Sequence, residues 1–255
     1  MLFDQRGCGR SRPHASDPAA DMSVNTTHHL IADMERLREH LGVDQWLLWG
    51  GSWGSTLALA YAEAHPDRVS GIVLVAVTTS RRYEIDWLYR GVGRFFPAAW
   101  REFLAGAACG LDDDVVAAYA ALMEHPDAAV RAKAALDWAT WEDAVVGHEP
   151  GGKPDVYRNR PPDALLAFVR ICAHYFAAGA WLEEGQILRE APRLSGIPGA
   201  LIHGRLDMSA SLDTAWELAQ AWPDAELTVI DTAGHQGNDA MRDAIRAAVD
   251  RLSPP

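Results

Sequence analysis

Five residues, Gly50-Gly51-Ser52-Trp53-Gly54, constrain this chain more than any other stretch. They follow Trp46-Leu47-Leu48-Trp49, a short continuous apolar run, and precede Ser55 to His65, a segment rich in Ala and Leu that halts before Pro66. The order strand, tight turn, helix puts a serine on a sharp bend, the Gly-x-Ser-x-Gly pattern that lifts a hydroxyl clear of a sheet edge. Side chains two residues to either side of the bend would collide with neighbouring backbone, and glycine at Gly50 and Gly54 is expected to avoid this. The amide of Trp53, at the start of the helix, is expected to be one donor to an oxyanion.

The rest of the chain repeats the same rhythm. Ile72 to Val77 is an all-apolar, β-branched run, the mark of a strand covered on both faces in a parallel sheet. Leu30, Met34, Leu37 and Leu41 recur at helical spacing before Gly42. After Pro198 come a strand at Ala200-Leu201-Ile202, a helix around Trp216 to Trp222, a strand at Leu227 to Ile230 and a last helix from about Asp239. Alternating strands and helices define an α/β class. From about Ser80 to Pro192 the apolar period is helical only, with a Gly- and Pro-rich connection near Gly147 to Pro162. The expected organisation is a core in two parts, 1–79 and 193–255, interrupted by a helical cap over 80–192. Asp112-Asp113-Asp114 reads as a solvated helix start rather than a metal site.

Charge and cysteine usage exclude several classes. With 23 Lys plus Arg against 35 Asp plus Glu, the formal charge of −12 repels phosphate backbones and anionic lipid surfaces, so neither nucleic acid nor membrane is an expected partner. No uncharged apolar run reaches the roughly 18 residues of a membrane span, and no signal peptide is expected because Met1-Leu2-Phe3 runs straight into Asp4, Gln5 and Arg6. Cys8, Cys109 and Cys172 are odd in number and far apart, which suits reduced thiols in a cytoplasm. No pattern suggests a metal, a nucleotide or a flavin, so no cofactor is expected. Met1-Leu2-Phe3 reads as the end of a buried strand whose beginning is missing.

A serine hydroxyl needs a base to take its proton and a carboxylate to orient that base. Asp207 lies in His203-Gly204-Arg205-Leu206-Asp207, directly after the Ala200-Leu201-Ile202 strand. His235 lies in Gly234-His235-Gln236, directly after the Leu227 to Ile230 strand. Both loops are expected at one edge of the sheet, and the order serine, acid, histidine is that of the Gly-x-Ser-x-Gly class. Asp231 is a rival acid, close in sequence to His235. Haloalkane dehalogenase and epoxide hydrolase chemistry is disfavoured, since those elbows carry aspartate where this chain has Ser52.

Asp4-Gln5-Arg6-Gly7-Cys8-Gly9-Arg10-Ser11, Asn25-Thr26-Thr27, Gly50-Gly51-Ser52-Trp53-Gly54-Ser55-Thr56, His203-Gly204-Arg205-Leu206-Asp207 and Gly234-His235 together resemble the proline iminopeptidase (prolyl aminopeptidase) family of α/β-hydrolases. The resemblance spans nearly the whole chain. It implies an α/β-hydrolase fold with a mostly parallel sheet and a helical cap insertion. It further implies release of N-terminal proline from small peptides by a serine acyl-enzyme route, with Ser52 as nucleophile, Asp207 as orienting acid and His235 as base. A cationic substrate amine calls for a carboxylate and an imino ring for an apolar wall. Trp138, Trp141 and Glu142 supply those types, and Trp141-Glu142 resembles the family's Trp-Glu motif, whose glutamate contacts the amine.

The chain departs from the family twice. In Arg170-Ile171-Cys172-Ala173-His174-Tyr175-Phe176, Cys172 stands where the family has a second glutamate for the substrate amine. Loss of one charge-assisted partner costs about 1.5–3 kcal/mol if buried. The family's upstream strands and His-Gly-Gly-Pro-Gly loop, source of a second oxyanion amide, have no counterpart here, so the fold is expected without its N-terminal strands. The expected explanation is a longer natural chain. The alternatives are a hydrolase of another small amide or ester, or an inactive remnant.

Overall fold

The computed structural model describes residues 1–253. By internal contacts the chain divides into two compact units: residues 1–30, 85–148 and 153–181 form the first, and the remainder, 31–84, 149–152 and 182 onward, the second.

The second unit is built on four parallel strands in the order β1-β2-β3-β4: β1 (Trp46–Gly51), β2 (Val69–Val75), β3 (Gly199–Gly204) and β4 (Ala225–Ile230). Helices α2 (Trp53–Ala64), α9 (Leu212–Ala221) and α10 (Asp239–Leu252) accompany them. Ile72, Val73 and Leu74 of β2 are fully buried, which is why that strand is continuously apolar. Val73, Val75, Ala200 and Ile202 form a core with Met241 and Ala248 of α10. The start of α10 is set by Asn238, whose side chain accepts from the Met241 amide at 3.0 Å. Trp222, fully buried, donates to the carbonyls of Leu194 and Ile197 and lies so close to Gly199 that any Cβ there would sit 2.5 Å from its ring. β1 is at one end of the four-stranded order, with Trp49 half exposed.

The first unit is helical: α4 (Pro97–Gly106), α5 (Val115–Met123), α6 (Ala128–Val146) and α7 (Pro162–Ala177), with α1 (Thr27–His40) and α3 (Arg82–Tyr89) each shared in sequence between the two units. A short helix, α8 (Gln186–Glu190), belongs to the second unit. Asp114 caps α5 by accepting from the Ala117 amide, so the acidic run is a helix start. The helical core is aromatic: Tyr89 and Trp138 have ring centroids 4.6 Å apart, and Phe103 stacks on Tyr119 at 4.6 Å and on Trp141 at 5.6 Å.

Met1-Leu2-Phe3, expected as the end of a buried strand, is in no strand here, and Met1 and Leu2 are exposed. Among the described residues no strand pairs with the segment, and it leads into a loop organised by Asp4, which accepts from the Arg10 amide through its side chain and from Ser11 Oγ through its carbonyl. The following stretch is fastened to α7. Buried Arg170 donates to the carbonyls of Ala15, Asp17 and Ala20 and makes a two-pronged pair with Glu124. Tyr175 donates to the Asn25 side chain, which itself donates to the Arg6 carbonyl. Thr27 donates to the Ala180 carbonyl at 2.6 Å. Arg170→Ala strips three carbonyls of their donor and is expected to cost about 2–4 kcal/mol, read as a lower urea midpoint.

Glu63 in α2 is buried, and neither carboxylate oxygen has a hydrogen-bond partner among the described residues. Burial, and then the charge of Glu190, push its carboxyl up to about 8 against the pull of Arg193 and Arg189. A folded-state value raised above the unfolded one makes the native state hold the proton longer, so stability falls as pH rises from the ordinary carboxylate range to about 8. Glu63→Gln removes this dependence. Its urea midpoint is expected to match wild type near pH 5 and to exceed it at pH 9.

Candidate active site

Ser52 stands between β1 and α2 with φ 53° and ψ −126°, a conformation L-residues rarely adopt, at a cost of about 1–3 kcal/mol. Its amide donates to the Val75 carbonyl at 3.0 Å, and its carbonyl accepts from the Ser55 amide at 2.8 Å and Ser55 Oγ at 2.6 Å. A Cβ on Gly50 would lie 2.2 Å from the Gly54 carbonyl oxygen, whereas a Cβ on Gly54 would meet nothing within 4 Å. The steric demand expected at both glycines therefore falls on Gly50, because it is the backbone of residue 54 that crowds in. Trp53 is the first residue of α2, where helix amides collect positive potential.

Asp207 and His235 are brought together by the adjacent ends of β3 and β4, where Gly204 pairs with Ile230. The Leu206 amide donates to the Ala233 carbonyl at 2.9 Å, and Gly204 is required because a Cβ there would be 2.4 Å from that same carbonyl oxygen. His235 Nδ1 donates to Asp207 Oδ2 at 2.8 Å, since an ionised carboxylate can only accept. The other oxygen of Asp207 accepts from the Ser209 amide and hydroxyl and from the Ala210 amide. Burial pushes the Asp207 carboxyl up, but His235, His203 and the Ala210 amide outweigh burial and hold it below the usual carboxylate value. Asp231, the rival acid, is exposed and paired with Arg205 at 2.6 Å. Ser52, Asp207 and His235 all follow the carboxyl ends of strands in one parallel sheet.

Two residues support this arrangement: His203, which the sequence marked as motif without a role, and Glu149, which it passed over. His203 is fully buried. It accepts from the Val77 amide through Nδ1 and donates from Nε2 to the Ala210 carbonyl, and desolvation lowers its pKa, keeping it neutral. Glu149, in the Gly- and Pro-rich connection between α6 and α7, is buried against the histidine loop. It accepts from the His235 amide through Oε1 and from the Gln236 amide through Oε2, the latter at 2.9 Å. Nothing in its sequence neighbourhood marked it beyond a carboxylate in a glycine-rich loop.

In the first unit, Glu142 is buried and its Oε1 accepts from Tyr89 at 2.7 Å and from Trp138 Nε1 at 2.8 Å. Trp141 is buried against Phe96 and Phe103 and donates to the Leu88 carbonyl at 3.2 Å. Cys172 is a free, half-buried thiol pushed well up by burial and by the charge of Glu142, against Arg160. Among the described residues no group of three or more His, Cys, Asp or Glu side chains is placed to hold a metal ion, and no single helix is long and apolar enough to cross a membrane.

A parallel sheet whose first strand ends in a strained serine turn, and whose last two strands deliver a carboxylate and a histidine, defines an α/β-hydrolase. Residues 1–239 match the alpha/beta hydrolase fold family. The chain is 46% identical to a probable proline iminopeptidase of Streptomyces coelicolor over 99% of its own length and 79% of the relative's. It is 42% identical to the proline iminopeptidase of Neisseria gonorrhoeae over 100% and 80%. It belongs to the proline iminopeptidase family. Solved structures share the fold at lower identity: a proline iminopeptidase of Mycobacterium smegmatis, with TM-score 0.61 at 18% identity over 98% of this chain and 77% of that one, and a hydrolase of Bacillus anthracis, with TM-score 0.59 at 19% over 98% and 80%.

Asp207→Asn removes the carboxylate charge that accepts from His235 Nδ1. It is expected to slow labelling of Ser52 by a fluorophosphonate roughly a thousandfold or more, while Asp231→Asn stays close to wild type. Time courses of probe incorporation measure both.

Proposed function

We propose that this protein is a serine aminopeptidase that releases N-terminal proline from small peptides. The observation that carries the reading is the Asp207–His235 pair and the strained Gly-x-Ser-x-Gly turn, all following carboxyl ends of strands in one parallel sheet, in a chain 46% identical to a probable proline iminopeptidase along nearly its whole length. With Nδ1 committed to Asp207, His235 has Nε2 for the Ser52 proton. Ser52 Oγ attacks the prolyl carbonyl carbon, and the negative charge on the oxygen is met by the Trp53 amide at the head of α2. The imidazolium returns its proton to the leaving peptide amine, and water, activated by the same base, hydrolyses the acyl-enzyme. In this reading residues 80–192 form the cap, and Glu142 and Trp141 belong to the part that receives the substrate amine and ring. Three free thiols support a cytoplasmic location.

A second reading is favoured by Cys172. A neutral thiol where the family has a carboxylate leaves an ammonium short of one partner, which suits another small amide or an ester better. A panel of proline anilide, alanine anilide and short acyl esters separates the two. Proline anilide is expected to be turned over, and Cys172→Glu to lower its KM by roughly ten- to a hundredfold. Exclusive ester turnover rejects the first reading.

A further inference from the structure

The carboxylate of Glu149 has no place in the triad, yet it is one of the most tightly installed groups beside it. The residue is 5% exposed, and each of its two oxygens takes a separate main-chain amide of the histidine loop, His235 by Oε1 and Gln236 by Oε2. The fit continues at Gly234, where any Cβ would lie 2.1 Å from the Glu149 carboxyl carbon, so the glycine before the histidine is the space this carboxylate occupies. Glu149–Gly152 is a four-residue stretch of the second unit inserted between two stretches of the first. A buried anion that spends both oxygens on consecutive amides fixes the orientation of the peptide planes between them, and hence the direction in which the histidine side chain leaves the backbone.

We propose that Glu149 is the positioning residue of the catalytic base: it clamps the main chain of the His235 loop so that the imidazole meets Asp207 on one side and presents Nε2 on the other. This rests on the hydrolase reading of Ser52, Asp207 and His235. Its negative charge acts as well. The titratable groups facing it are Asp207 and His235; desolvation, with the charge of Asp207, holds its carboxyl above the ordinary carboxylate value against the pull of the Gln236 and His235 amides and of the His235 charge. The imidazolium that forms during turnover faces two carboxyl groups, Asp207 bonded to its ring and Glu149 bonded to its main-chain amide.

The test is the rate of fluorophosphonate labelling of Ser52 against pH, in the full chain, for wild type, Glu149→Gln and Glu149→Asp, with Ser52→Ala as blank and thermal midpoints taken on the same samples. Glu149→Gln keeps the volume but turns an N–H toward an amide N–H and removes the charge. Its labelling is expected to be roughly ten- to a hundredfold slower at neutral pH, with the acid limb of the profile displaced to lower pH because the protonated base has lost an anion. Glu149→Asp keeps the charge and is expected to retain the wild-type acid limb at a reduced rate, which a purely structural role would not produce. A folded Glu149→Gln chain labelled within twofold of wild type on an unchanged profile overturns the inference. If Glu149→Gln does not fold, a Glu149→Asp chain with wild-type rate and profile overturns it. A wild-type chain labelled no faster than Ser52→Ala overturns the hydrolase reading and this inference with it.

Discussion

Everything at the edge of this sheet depends on one close approach of backbone to backbone. The carbonyl of Gly54 lies where a Cβ on residue 50 would be, and only because residue 50 has none can the chain leave β1, pass through Ser52 at φ 53° and enter α2 within three residues. The strain is carried by neighbours: the Val75 carbonyl on one side, and Ser55, bonded to the Ser52 carbonyl through both amide and hydroxyl, on the other. Ser55 is in turn fastened to Thr78, so the turn is braced from the end of β2.

The two glycines of the other loops obey the same logic. Gly204 admits the Ala233 carbonyl and Gly234 admits the Glu149 carboxylate, and each marks a point where something must come nearer than a side chain allows. Around them polar groups are satisfied in pairs: Asp207 by His235 and by the 209–210 amides, His203 by Val77 and Ala210. Buried polar networks of this kind hold one geometry because each broken bond leaves a desolvated group behind. Glu63 is the contrary case, a buried carboxylate with no partner among the described residues.

Much of this was legible in the order of residues. The β2 run, the helical stretch between β2 and β3, the serine turn and the histidine and aspartate loops could be read because apolar period and Gly placement are local signals. The motif residues outside the triad were legible as motif but not as role. Asn25, Thr27 and Arg170 serve as fasteners between an N-terminal loop and α7, joining positions some 150 apart in sequence. Met1-Leu2-Phe3 carried the apolar signal of a strand, but a strand exists only where another pairs with it, and among the described residues none pairs with this segment.

The sequence by itself determined which chemistry was available: one serine on a glycine-flanked bend, two candidate aspartates and one histidine behind successive strands, and a cysteine in place of a glutamate. Position in the chain already favoured Asp207 over Asp231; the tertiary structure adds that Asp207 is buried and bonded to His235 whereas Asp231 is exposed in a surface ion pair with Arg205, a difference set by burial and hydrogen bonding. It also brought forward Glu149, 86 residues before the histidine whose amide it holds. Contacts of that kind are fixed by the packing of remote segments, for which local patterns carry no signal.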